Sequence, residues 1–157
     1  MADKSFSFDT GLRSYDINGY IVTFNPTDSR FITGFNKLLK KLNVKQDELA
    51  EIMRDAGDDA DIVIDTLGEY GTYSVEAFDT CFGAGASDGM FGGCSPFTVQ
   101  PDTRIPLWVI LCDYIANEIM TALDELPEEA KTDKLLMSGA KSKALLQKYK
   151  IKAQAGK

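Results

Sequence analysis

Between Val75 and Gly93 the chain places Phe78 and Phe82 one helical turn apart, follows them at once with Gly83, and then sets Gly85, Gly89, Gly92 and Gly93 around the apolar pair Met90 and Phe91. Residues four apart share a helix face, and a glycine straight after an apolar helical run is where a helix hands over to a left-handed cap. The stretch therefore predicts a helix that ends at Phe82. A plain solvent loop has no use for Met90 and Phe91, so the glycine-rich segment is expected to lie docked on the body of the protein.

Other signals are taken in chain order. Phe6 and Phe8 alternate with polar residues, and Tyr15 to Ile17 and Tyr20 to Phe24 flank Asn18-Gly19. Asn-Gly between β-formers is a strong hairpin signal, because both residues tolerate the positive φ of a type I′ turn. Two strands alone are marginal in water, so the hairpin must lie on a helix or pair with another chain's edge. Asn25 to Asp28 starts a helix with Thr27 or Asp28 as cap, and Phe31, Ile32, Phe35, Leu38, Leu39 and Leu42 recur at helical spacing. Past Asn43 the pattern resumes with Leu49, Ile52 and Met53, as a continuation or as a second helix hinged there; both remain open.

Gly57 with Asp58 and Asp59 makes a break and a new cap. After it Ile64, Leu67, Gly71, Val75, Phe78 and Phe82 step by three or four, predicting a long helix from about Asp59 to Phe82. Gly68 and Gly71 inside it each cost about 1 kcal/mol relative to alanine, which points to a kink or a close helix contact. Pro106 falls in the first turn of a further helix carrying Leu107, Trp108, Ile110, Leu111, Tyr114, Ile115, Ile119, Met120, Leu123 and Leu126, the most apolar of the chain, before Pro127 ends it. One short helix around Lys141 to Tyr149 is the most the remainder allows, with fraying at its end.

These elements predict an α+β, mainly α fold: an N-terminal β-hairpin followed by a compact bundle of about four helices, with a lysine-rich C-terminal tail. At 157 residues the chain suits one domain that buries roughly two-thirds of its unfolded surface. Residues 1–130 are read as that globular domain and 131–157 as a basic tail, partly helical or disordered. The tail carries eight lysines and one aspartate, net +7, against 9 basic and 23 acidic groups in the first 130 residues, net −14. An acidic body disfavours nucleic acid, and the tail lacks arginine and has Tyr149 as its one aromatic residue. A tail leaning on an acidic face of the same or a neighbouring chain is the expectation.

Cys81, Cys94 and Cys112 are an odd set at spacings that match neither a disulfide framework nor paired zinc ligands, so a reduced, cytoplasmic setting is expected. Neither a signal-like N-terminus nor an apolar run of membrane-spanning length is read in the chain, and no membrane role is expected. The chain has no histidine, which removes the usual base of a Ser or Cys nucleophile and the commonest transition-metal ligand. The acidic group Asp55, Asp58, Asp59, Asp61 and Asp65 fails the EF-hand spacing, since the third and sixth positions from Asp55 are Gly57 and Ala60. It reads as a solvated face at a helix start. Gly83-Ala84-Gly85 is no dinucleotide loop, because the third glycine would fall at Asp88 and a helix precedes it. No enzymatic activity, cofactor, metal or catalytic residue is expected.

The run Phe78 to Gly93, followed by a helix containing Trp108, resembles a pattern in small proteins of phages and prophages of Gram-positive bacteria. In these a helix ending in Phe-Gly leads through a glycine-rich turn to a second Phe-Gly and a closing helix. The likeness covers about residues 58–125, with an echo in the Asn18-Gly19 hairpin. The chain departs from the pattern in its longer connection from Gly93 to Pro106 and in its lysine tail. Several such proteins belong to the tail-morphogenesis region and are regarded as tail assembly chaperones. The resemblance implies a protein that binds the tape measure protein in the host cytoplasm before tail polymerisation. It further implies that Phe82, Met90, Phe91 and Trp108 line or support the binding surface, filling of the monomer core being the other role open to each. A structural head-tail or tail component that forms a homo-oligomer, and a host-directed interaction protein, stay open as alternatives.

Overall fold

The computed structural model describes residues 2–128, 140–147 and 149. The fold is mainly helical, with β1 (Arg13–Ile17) and β2 (Tyr20–Phe24) followed by α1 (Ser29–Ala56), α2 (Ala60–Phe82), α3 (Ala86–Phe91) and α4 (Leu107–Asp124). Residues 140–147 are helical as well.

The hairpin is antiparallel with Ile17 opposite Tyr20 and Arg13 opposite Phe24. Its turn uses Asn18 at φ 53° and Gly19 at φ 85°, both positive as the type I′ geometry requires. Asp16 supports the turn by accepting the Gly19 N–H at 2.8 Å. Side chains alternate: Tyr15, Val22 and Phe24 are buried, while Ser14 and Thr23 pair hydroxyls across the outer face at 3.1 Å. Residues 4–12 form neither strand nor helix, and Phe6 and Phe8 stand in water at 88% and 70% exposure.

Asp28 caps α1, accepting the Arg30 N–H at 3.0 Å, and the helix runs unbroken through Asn43 for 28 residues. The question left open at Asn43 is answered by continuity: Ile32, Phe35, Leu38, Leu39, Leu42 and Leu49 form one buried stripe, so no change of face calls for a hinge. Asp59 caps α2 through the Ile62 N–H, and α2 returns along α1 in a helical hairpin. Two side-chain contacts set their register: the Tyr70 hydroxyl donates to Glu48 at 3.0 Å, and Lys45 pairs with Glu48 at 3.1 Å while its ammonium lies over the rings of Tyr70 and Tyr73.

The apolar stripe of α2 faces inward only in its second half. Phe78 is buried, but Ile64 and Leu67 are exposed, and Thr66 and Ser74 are the buried positions on the α1 side. The reason lies in tertiary cover: α3 and β2 pack on the C-terminal part of α2, and Ile64 and Leu67 in its first half have no such cover among the described residues. The glycines divide in the same way. A Cβ at Gly71 would lie 3.3 Å from the Ser95 hydroxyl, whereas one at Gly68 would meet nothing within 4 Å.

Rings link the elements into one core. Tyr15 stacks on Phe24 at 4.4 Å, Phe24 on Phe31 at 4.4 Å, and Phe82 packs edge-on to both phenylalanines before Phe78 carries the contact to Phe91 at 4.9 Å. Elsewhere in the core, Trp108 is fully buried and meets Tyr149 edge-on at 5.2 Å. Within the stretch read as a tail, Ser142, Leu146 and Tyr149 are thus buried in the body. The fraying expected at the chain's end lies outside the described residues.

Lys45, followed by Tyr70, holds the Glu48 carboxyl below the usual carboxylate range. A carboxylate whose pKa is lowered by folding stabilises the fold above its ordinary pKa, and that contribution disappears as pH falls through the folded value. Wild type and Glu48→Gln should therefore differ in urea midpoint near neutral pH, and the difference should shrink as the pH falls through the lowered folded pKa of Glu48 and protonates it.

Candidate docking trough beside the hairpin tip

Asp79, near the end of α2, organises the glycine segment from both of its ends. Its backbone carbonyl accepts the Gly83 N–H at 2.8 Å and its carboxylate accepts the Ser87 N–H at 2.9 Å. Gly83 does terminate α2, though not in the left-handed cap expected for it: φ 114° and ψ 157° lie in a region open essentially to glycine alone. Gly85 supplies the left-handed residue instead, at φ 80°. The chain thereby turns sharply into α3, a six-residue helix where the sequence suggested a loop. Gly92 closes α3 in the left-handed region, and the Gly93 N–H returns to the Asp88 carbonyl at 2.9 Å, the six-residue closure of a Schellman cap.

The hairpin tip is fastened to this small helix. Asn18 donates its amide to the Met90 carbonyl at 2.7 Å. The ring of Tyr20 lies so close to Gly89 that a Cβ there would sit 2.2 Å from it. Opposite stands α4, whose first N–H groups are capped by loop carbonyls and not by a side chain: Leu107 donates to Thr98 at 2.8 Å and Trp108 to Pro96 at 2.9 Å. Pro106, expected in the first turn, occupies the preceding cap position.

Hairpin tip, α3 and α4 enclose an open trough of about 380 Å³. Met90 and Phe91 form its floor, Ile17 and Asn18 one wall, and Leu107, Ile110, Leu111 and Tyr114 the other, with Asp16 and Gln100 at the edges. Ile110 and Tyr114, 38% and 44% exposed, are the most exposed apolar side chains lining the trough. Tyr114 also stands edge-on to Tyr15 at 6.5 Å. Burial, followed by the Glu118 charge, pushes the Tyr15 phenol above its ordinary pKa, so it stays neutral beneath the α4 wall.

The four residues singled out from sequence separate. Met90 and Phe91 meet at the trough floor but are 0% and 7% exposed; they shape the surface from beneath. Phe82 is half-buried in the ring cluster and borders a different depression with Leu12 and Phe31. Trp108 borders neither: it is 0% exposed, and its Nε1 donates to the Gln46 side chain at 2.9 Å. Sequence reasoning missed Ile110 and Tyr114 as surface residues. Their signal was present, because Leu107, Ile110 and Tyr114 recur at three and four, on a flank offset from the buried line of Trp108, Cys112, Ile115 and Ile119.

The thiols offer no nucleophile near neutral pH where burial governs them. Cys81 is pushed up to about 12 by desolvation and Cys112 well above its ordinary value, and thiolate is the reactive form. Cys94 is exposed. Among the described residues no group of three or more Cys, Asp or Glu side chains is placed to hold a metal ion, and no helix is long and apolar enough to cross a membrane.

Gly89→Ala should destabilise the fold by about 1–3 kcal/mol, because the Tyr20 ring has to move. Gly68→Ala, made in open space, should stabilise it by up to about 1 kcal/mol. Thermal or urea unfolding of the two variants beside wild type checks both signs.

Comparison with family models, curated proteins and solved structures finds no match to this chain.

Proposed function

We propose that the protein holds an apolar segment of another polypeptide in the trough beside the hairpin tip, acting as a phage tail assembly chaperone-like protein on the tape measure protein. The observation that carries the reading is the exposed flank of α4, Ile110 and Tyr114, over a preformed floor of Met90 and Phe91. Apolar anchors at helical spacing, in a groove with polar edges, suit helix-in-groove recognition, and a methionine floor adapts to differing side chains. The resemblance of the run Phe78 to Gly93 supplies the class of partner; the trough supplies a place for it. Coexpression with the tape measure protein of the same tail-morphogenesis region, followed by a pulldown, tests the idea. Wild type should copurify, and Ile110→Ser with Tyr114→Ser should lower recovery at least tenfold while the circular dichroism stays unchanged. Folded wild-type protein that fails to copurify would count against the chaperone reading.

A second reading, a tail or head-tail component that self-associates, is favoured by a separate observation. β1 has no strand partner on its outer edge among the described residues, and the extended segment leading into it exposes Phe6, Phe8 and Leu12. An unpaired strand edge beside a segment of alternating aromatic residues is a template for pairing between copies. Self-assembly of this kind, with basic C-terminal residues meeting an acidic neighbour, weakens with salt. Sedimentation velocity should then show a discrete large species at low salt that shrinks at high salt; a monomer under both conditions excludes it.

A further inference from the structure

The first half of α2 carries an apolar strip that nothing among the described residues covers. At 100° per residue, Ile64, Leu67 and Gly68 fall on one face of the helix. Ile64 and Leu67 are 66% and 49% exposed. Farther along that face Gly71 is approached by Ser95, and Phe78 is buried against Phe91 of α3, so one continuous face is roofed in its second half and bare in its first. Gly68 lies in the bare half. Glycine is unfavourable in mid-helix, and no contact among the described residues requires it there, since a Cβ would meet none of their atoms within 4 Å. What an exposed helix gains from a glycine at such a place is close approach by another backbone.

Charge defines what fits. From residue 55 to residue 103 the sequence holds ten acidic side chains and no lysine or arginine. Asp61 and Asp65, both exposed, flank the strip on one edge by helical spacing, and Glu69 stands one step beyond. The Asp59 carboxylate is engaged in capping the helix, which leaves Asp61 and Asp65 to face a ligand. We propose that this strip seats a lysine- or arginine-rich amphipathic helix of another protein, crossing α2 at Gly68 with its apolar face on Ile64 and Leu67 and its basic flank along Asp61 and Asp65. The surface belongs to α2 alone and is distinct from the trough, so the two proposals stand or fall separately.

The test is a titration of the full-length, isotopically labelled protein with a model peptide of alternating leucine and lysine at helical spacing, and with its counterpart carrying glutamate for lysine. Amide shifts at Ile64, Leu67 and Gly68 are expected with the lysine peptide and absent with the glutamate peptide, and the affinity should fall as salt is raised. Asp61→Lys with Asp65→Lys, both on the surface, should weaken binding at least tenfold without loss of fold. Ile64→Gln should also weaken it, whereas Ile110→Ser with Tyr114→Ser should leave it unchanged. Equal binding of both peptides overturns the proposal. So does an absence of shifts at the strip, the result expected if the chain's own lysine-rich C-terminal residues occupy it. Shifts there that depend on protein concentration without peptide assign the strip to a second copy and overturn it as well.

Discussion

The hairpin stands on α3, and the point of contact is a tyrosine ring laid on a glycine. Two five-residue strands have little stability by themselves, so Tyr15, Val22 and Phe24 need a surface to bury against. α3 supplies part of it because Gly89 has no side chain to hold Tyr20 away and because the Met90 carbonyl accepts the Asn18 amide. α3 in turn exists at that place because Asp79 holds Gly83 and Ser87 together while Gly83 and Gly85 adopt backbone angles that a side chain would resist. Remove any of these and the trough loses a wall or its floor.

A different kind of constraint operates along α1. Three amide side chains reach from it to elements distant in sequence: Asn36 to Ser142, Asn43 to the Tyr149 hydroxyl and Gln46 to Trp108. Their spacing of seven and three places them on one side of the helix. Each meets a buried partner, and buried polar groups left unpaired are unfavourable, so these contacts set how α4 and the C-terminal helical segment slide along α1. Apolar packing alone tolerates several such arrangements. Lys143 adds a further tie, donating to Asp113 at 3.0 Å and Asn117 at 2.6 Å on α4. Part of a lysine-rich segment therefore belongs to the body of this fold, because Lys141 is exposed and Lys143 reaches α4 while Leu146 and Tyr149 are buried.

Among the described residues, two apolar surfaces stay open because the neighbours packed against α2 and α4 cover only part of each helix. α4 buries the line of Trp108, Cys112, Ile115 and Ile119 and leaves the flank of Ile110 and Tyr114 beside the hairpin tip. α2 buries Phe78 where α3 and β2 reach it and leaves Ile64 and Leu67 bare where they do not. The surfaces differ in setting. The trough mixes apolar walls with one carboxylate, Asp16, and the amides of Asn18 and Gln100, whereas the α2 strip is bordered by carboxylates.

Local chemistry explains which parts were legible from sequence. The Asn18-Gly19 turn, the cap at Thr27 or Asp28, the break from Gly57 to Asp59, the stop at Gly83 and the start of α4 near Pro106 each depend on a few adjacent residues with restricted backbone preferences, so the sequence by itself located these turns and helix ends. Periodicity likewise marked α1 and the buried line of α4. It could not tell that Ile64 and Leu67 are bare while Met90 and Trp108 are covered, because an apolar side chain looks the same in sequence whether a neighbour covers it or water does. The continuity of α1 through Asn43, the short helix within the glycine run, the docking of Leu146 and Tyr149, and the separation of Phe82 and Trp108 from the trough were decided only by tertiary structure. Burial is a property of what lies opposite a residue, and that is set by contacts between segments far apart in the chain.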